Sequence, residues 1–130
     1  MPREQTIRSY RDLEVWQRSV DLAIESYRVT AAFPATERYG LTAQVRRCAV
    51  SIPSNIAEGR GRATLADFLR HLAIANGSVM EIETQVIIAT RLGYVSEDQS
   101  QTLLARSGEV GRLLAGLVRA LKRRAGRPGT

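Results

Sequence analysis

Residues 64–92 read TLADFLRHLAIANGSVMEIETQVIIATRL, and this stretch decides the fold. Leu65, Phe68, Leu69, Leu72, Val79, Ile82 and Val86 recur at the three- and four-residue intervals of one helical face. Thr64 stands as an N-cap with Asp67 in the reciprocal position, and Gly93 supplies a stop. The spacing predicts one helix of about 43 Å, at 1.5 Å per residue. A helix of that length with one apolar stripe needs partners of similar length to cover it.

The flanking sequence provides three such partners. A first helix is expected from about Asp12 to Ala32, opened by Ser9 and Asp12 and closed by Phe33-Pro34, because proline disfavours helical backbone in its predecessor. Its apolar face is taken as Leu13, Trp16, Val20, Ala23, Ile24 and Tyr27. A second runs from Thr36 or Leu41 to Glu58 on the stripe Leu41, Val45, Cys48, Ile52 and Ile56, and ends at Gly59 and Gly61. A fourth opens at Ser96 and Gln99, a full capping-box match, and shows Leu103, Val110, Leu113, Leu114, Leu117 and Leu121. No segment alternates like a strand. Four amphipathic helices on short connections predict an all-α, antiparallel up-down-up-down four-helix bundle over residues 9–124. Residues 1–8 are expected to be a flexible N-terminus and 125–130 a disordered basic tail.

Composition narrows the function classes. Of 130 residues, 44% are hydrophobic but only 5% aromatic, so the core is aliphatic. The net charge of +6 is uneven: residues 119–130 hold five cations and no acid, leaving 14 cations against 13 acids elsewhere. One cysteine, Cys48, excludes an intramolecular disulfide and a cysteine-rich zinc site, and one histidine, His71, excludes a multi-histidine metal centre. A di-iron bundle needs a Glu-x-x-His pair from each of two helices, which this chain lacks. The run Gly59-Arg60-Gly61-Arg62 lacks the Gly-Lys-Ser/Thr ending of a phosphate loop. No catalytic residue, metal or cofactor is expected. No apolar run approaches the ~20 residues that cross a bilayer, and no signal-peptide core opens the chain, so a cytoplasmic, non-membrane protein is expected.

Several residues do not fit an isolated bundle. Val15, Leu22 and Val29 form a second apolar row on the first helix, facing away from the first, and are expected to contact another subunit. Pro53 interrupts the second helix, with Arg47, Ser51, Ser54 and Glu58 on one face and Asn55 beside the apolar stripe. Asn76 and Glu83 lie inside the apolar stripe of the third helix. Buried polar groups need partners, so Ser51, Asn55 and Glu58 are expected to meet others across a bundle or subunit interface. His71 falls toward a polar flank and is expected at the surface. Arg46, Arg47, Arg60, Arg62 and Arg70 cluster in sequence, and Arg119, Lys122, Arg123 and Arg124 end the last helix; all nine are expected to bind nucleic acid. With aromatics scarce, such binding is backbone-driven and salt-sensitive.

The runs Leu13-Glu14-Val15-Trp16, Glu37-Arg38-Tyr39-Gly40-Leu41, Ser51-Ile52-Pro53-Ser54-Asn55-Ile56-Ala57-Glu58-Gly59 and Asn76-Gly77-Ser78-Val79-Met80-Glu81 carry a resemblance. The chain resembles the bacterial four-helix-bundle family encoded in intervening sequences of 23S rRNA genes, over about residues 9–122. Cys48 departs from that pattern, which usually has alanine there. The resemblance implies a homo-oligomer, a pentameric barrel of bundles, with no established enzymatic activity. A related branch, the accessory variability determinants of diversity-generating retroelements, associates with a reverse transcriptase and its RNA; Glu109-Val110-Gly111-Arg112-Leu113-Leu114 looks like that branch. The expected function is therefore a non-enzymatic oligomeric module that engages structured RNA or a ribonucleoprotein through a basic surface. The alternative is a protein–protein adaptor such as a reverse-transcriptase accessory subunit.

Overall fold

The computed structural model describes residues 7–126; the expected N-terminal flexibility over residues 1–6 and tail disorder over 127–130 lie outside the described residues. Four helices follow in order: α1 Glu14–Thr30, α2 Leu41–Arg60, α3 Leu65–Arg91 and α4 Glu97–Ala125, with no strand among the described residues. Two 3-10 turns, Tyr10–Asp12 and Ala35–Glu37, precede α1 and α2. Each of α1 and α3 packs against both α2 and α4, so α1 and α3 stand diagonally across a bundle. The caps expected for α3 and α4 form: Thr64 Oγ1 accepts from the Asp67 N–H at 3.2 Å and Ser96 Oγ from the Gln99 N–H at 3.1 Å. Ser9 instead caps the 3-10 turn, accepting from Arg11 N–H at 3.2 Å, and α1 starts two residues later than expected.

Gly93, at φ +83°, ends α3 in a left-handed turn that a side chain would strain. Tyr94 N–H then bonds back to the Ala89 carbonyl at 2.9 Å. Its ring packs on Phe33 at 5.5 Å and its hydroxyl donates to Glu37 Oε2 at 3.0 Å, which pushes the Tyr94 hydroxyl pKa upward. The other Glu37 oxygen accepts from Leu41 N–H at 3.0 Å and caps α2. One acidic side chain thus joins the α1–α2 connection to the α3–α4 connection.

The orientation of α1 overturns part of the sequence expectation: Leu13, Trp16 and Ala23 do pack on the core, but the rest of the expected face does not. Val15, Leu22 and Val29 are core residues, with Leu22 only 1% exposed, whereas Ile24 and Tyr27 of the presumed core face are 46% and 44% exposed. The rejected row therefore is not an outward subunit contact. The cause lies between its apolar members. Ser19, Ser26 and Thr30 are buried on the same face, and their hydroxyls donate to the Trp16, Leu22 and Ser26 carbonyls at 2.7–2.8 Å. A serine satisfied by its own helix enters a core at little cost and lets a neighbouring helix approach. On α4, Ser100 and Ser107 are buried likewise.

In α3 the inner residues Leu72, Ala75, Val79, Ile82, Val86 and Ala89 fill the core. Its outer surface is also apolar: Ile74, Met80, Ile87, Ile88 and Leu92 are each at least 42% exposed. Together they make α3 the one helix among the described residues long and apolar enough to cross a membrane, at a mean hydropathy of 1.2. Glu81 and Glu83 interrupt it, so it is no continuous apolar run. Its core face is turned to α2 and α4, and its outer row is exposed.

Candidate nucleic-acid interface

Antiparallel topology brings the start of α1, the end of α2, the start of α3 and the end of α4 to one pole. Residues 7–14, 55–70 and 115–126 carry nine cations and four acids, while the rest of the described chain carries eight of each. The whole net charge of the described residues is therefore at one end of the bundle. All four of its acids sit one helical turn from an arginine: Arg62 Nη2 is 3.6 Å from Glu58, Arg70 Nε 3.9 Å from Asp67, Arg8 Nε 3.7 Å from Asp12 and Arg18 Nη2 3.7 Å from Glu14. Hydrogen bonds to Asp12 from backbone N–H groups, Arg8 foremost, hold its carboxyl below the usual range. Such exposed pairs are weak and compete poorly with phosphate. No acid follows Glu109, so Arg119, Lys122 and Arg123 have no acidic neighbour along α4, and cations in a last turn suit the helix dipole.

Seven of the nine expected nucleic-acid residues reach this pole: Arg60, Arg62, Arg70, Arg119, Lys122, Arg123 and Arg124. Arg46 does not. Its Nε donates to Thr30 Oγ1 at 2.9 Å, its Nη2 to the Tyr27 carbonyl at 3.2 Å, and its guanidinium lies 4.5 Å from the Tyr27 ring centre. It is a brace between α1 and α2, fixed by satisfied bonds. Arg47 lies in mid-helix beside a polar groove with Gln44, Cys48, Ser51, Ser78 and Glu81. Two arginines that sequence reasoning did not assign, Arg8 and Arg11, join the pole ahead of α1, with the Arg11 guanidinium 5.7 Å from the Tyr10 ring centre. Their signal was the alternation of helix direction.

The polar residues around Pro53 close on each other inside the chain. The Ser51 and Ser78 hydroxyls are 3.0 Å apart, and Asn55 Nδ2 donates to the Ser51 carbonyl at 2.9 Å and its hydroxyl at 3.0 Å. That fixes the amide so that Oδ1 faces His71 Nδ1 at 3.1 Å, and Glu58 Oε2 is 3.3 Å from the same nitrogen. Two acceptors around Nδ1 place its proton there. Ser51 and Asn55 thus form an α2–α3 network rather than a subunit contact, and Glu58 contributes from the solvent edge. His71 is buried, contrary to expectation, because Gly59 leaves room for it: a Cβ on Gly59 would stand 2.7 Å from His71 Cβ. Glu83, inside the α3 stripe, accepts from Ser107 Oγ at 2.9 Å. Cys48 lies 3.0 Å from the Ser78 carbonyl, and burial, reinforced by the Glu81 carboxylate, pushes its thiol up to about 11. That thiol is a poor nucleophile near neutrality. Among the described residues no three His, Cys, Asp or Glu side chains gather to hold a metal.

These features define an all-α bundle with a polar α2–α3 network and one basic pole. The chain belongs to the 23S rRNA-intervening sequence protein family, whose model matches residues 11–116. Among solved structures it is similar to a protein of unknown function from the S23 ribosomal protein family of Bacteroides thetaiotaomicron. The two share 24% identity and superpose with a TM-score of 0.75, over 81% of this chain and 95% of that one. No curated protein matches the chain.

Proposed function

We propose that the protein is a non-enzymatic, self-associating module that holds structured RNA on its basic pole. The observation that carries this reading is the concentration of the entire described net charge at one end of an otherwise neutral bundle. A field of one sign attracts a polyanion and orients it. Self-association is supported by two unpartnered apolar surfaces on different sides. One is the α1–α2 groove lined by Val20, Ile24, Tyr27 and Val50; the other is the outer row of α3. Different patches meeting head to tail generate rings when the rotation closes, which agrees with the pentameric barrel implied by resemblance. Repeating the pole around a ring multiplies its field.

The test is binding of a structured RNA hairpin across a salt series. Log affinity is expected to fall with log salt by about 0.7–0.9 per phosphate neutralised. Changing Arg119, Lys122 and Arg123 together to glutamine reduces that slope by about two to three, at one 0.7–0.9 increment per lost contact. Salt-independent binding, or an unchanged slope in the triple variant, refutes the reading. Light scattering checks assembly: Met80→Glu is expected to dissociate it with helix content retained.

A further inference from the structure

The basic pole is not a featureless surface. A cleft of about 540 Å³ opens there, with Leu13, Phe68, Leu117 and Leu121 as apolar lining and Arg60 and Arg124 as charged lining. Its size lies within the range of small-molecule sites, ~300–1,000 Å³. Phe68 is one of only two phenylalanines, and the other, Phe33, packs on Tyr94 at the far end of the bundle. The cleft draws two lining residues, Ile7 and Leu13, from before α1, one from the end of α2, one from the start of α3 and three from α4, so it exists only when the pole is assembled.

We infer that this cleft receives one unpaired nucleobase of the bound RNA. Three features select that occupant. The lining is apolar and includes an aromatic ring, which suits the face of a base turned out of its stack. The two guanidinium groups belong to the same cleft, where the phosphates flanking an extruded base would pass, and guanidinium binds phosphate in two-pronged fashion. The surrounding pole carries an excess of five positive charges, so an uncharged apolar ligand would gain nothing from it whereas a polyanion does. The inference rests on the RNA-binding reading above and sharpens it: the module discriminates RNA with a bulged or looped-out base from uninterrupted duplex.

The experiment compares two hairpins of the same length, each closed by a non-nucleotide linker so that no loop base is present, one fully paired and one with a single unpaired adenosine replaced by 2-aminopurine. The full chain is used, with fluorescence anisotropy for affinity and 2-aminopurine emission for the base. The bulged hairpin is expected to bind tighter, and Phe68→Leu, which keeps an apolar side chain but removes the ring, to weaken it roughly five- to 150-fold, the span of base–aromatic stacking. The paired hairpin is expected to bind Phe68→Leu unchanged. Leu121→Arg, which adds charge while spoiling the apolar lining, is expected to abolish the preference without weakening paired RNA. A matched thermal melt checks that each variant folds, and Leu121→Arg carries the test if Phe68→Leu does not. Equal affinity for both hairpins, with 2-aminopurine emission unchanged on binding, overturns the cleft proposal and leaves RNA binding standing. Failure of both hairpins to bind overturns the RNA reading itself. Discrimination between wild type and Phe68→Leu by an acidic peptide bearing one leucine, and not by the bulged RNA, assigns the cleft to a protein partner and also overturns the proposal.

Discussion

Leu22→Ala is the most direct test of which way α1 faces. Leu22 is 1% exposed and sits between two buried serines on the core face of the helix, so its removal leaves a cavity that small neighbours cannot collapse to fill. Fully buried Leu→Ala changes cost about 2.7–5 kcal/mol. With an unfolding entropy near 2.1 cal/mol/K per residue, a chain of this length loses about 4 °C per kcal/mol, so Tm is expected to fall by roughly 10–20 °C. The comparison is Ile24→Ala, two residues on, where a side chain already 46% exposed loses about 1 kcal/mol or less within the bundle. Urea and thermal denaturation followed by circular dichroism at one fixed protein concentration read both. Light scattering then separates packing from assembly: Ile24→Glu is expected to alter oligomeric state with helix content intact, and Leu22→Glu to unfold the chain. If Leu22→Ala melts like wild type while Ile24→Glu unfolds, α1 is rotated and the core assignment fails.

Three further outcomes follow from the same packing. Ser26→Ala is expected to change stability by less than about 0.5 kcal/mol, since its hydroxyl is served by its own helix, whereas Ser26→Leu overpacks the core and costs about 1–3 kcal/mol; equal effects would mean the site is not tightly packed. Gly59→Ala gains about 1 kcal/mol of helix propensity but drives a Cβ against His71 and Phe68, 2.7 and 3.0 Å away. A net loss of stability in urea is expected there, and a gain would contradict the close α2–α3 approach. The Cys48 thiol titrates near 11 in the folded chain against 9.0 ordinarily, so its contribution is intact below pH 9 and lost as pH rises toward 11, amounting to about 2–3 kcal/mol. Urea midpoints of wild type and Cys48→Ala should diverge across that window, because Tyr94 and the basic groups act equally in both; parallel curves would remove the buried-thiol assignment.

The fold was legible because its signals are local. Thr64 with Asp67, Ser96 with Gln99, and the glycines after α2 and α3 mark helix ends through bonds to the nearest few residues, and these appear within a residue or two of where they were read. The face of α1 was not legible, since the rule that apolar residues point inward ranks Ile24 and Tyr27 above Ser19 and Ser26. That rule measures transfer from water and omits the hydroxyl's bond to a carbonyl one turn back, which cancels most of the cost of burying serine. His71 was misplaced for a related reason: what admits it is an absent side chain, at Gly59 on another helix, which periodicity along α3 cannot register.

The basic pole occupies an intermediate position. Clustering arginines by distance along the chain joins Arg46 and Arg47 to Arg60 and separates all three from Arg124, yet Arg60 and Arg124 line one cleft while Arg46 braces α1 through Thr30. The relevant variable is height along the bundle axis. Residues 46 and 60 on one helix are about 21 Å apart at 1.5 Å per residue, whereas the end of α2 and the end of α4 are level because the chain reverses at each connection. An up-down-up-down order therefore converts four separated segments into one surface by topology alone, and the charge of each segment adds there. The same geometry makes the surface sensitive to the bundle's register. A one-turn slip of α4 would move Leu117 and Leu121 about 5.4 Å from Phe68 and draw Arg124 away from Arg60. Outside the pole, α3 and α4 are tied by the bond from Ser107 to Glu83. Ser107→Ala leaves Glu83 half-buried without its donor. If α4 shifts in response, the unpaired-base preference falls while every arginine at the pole is still present.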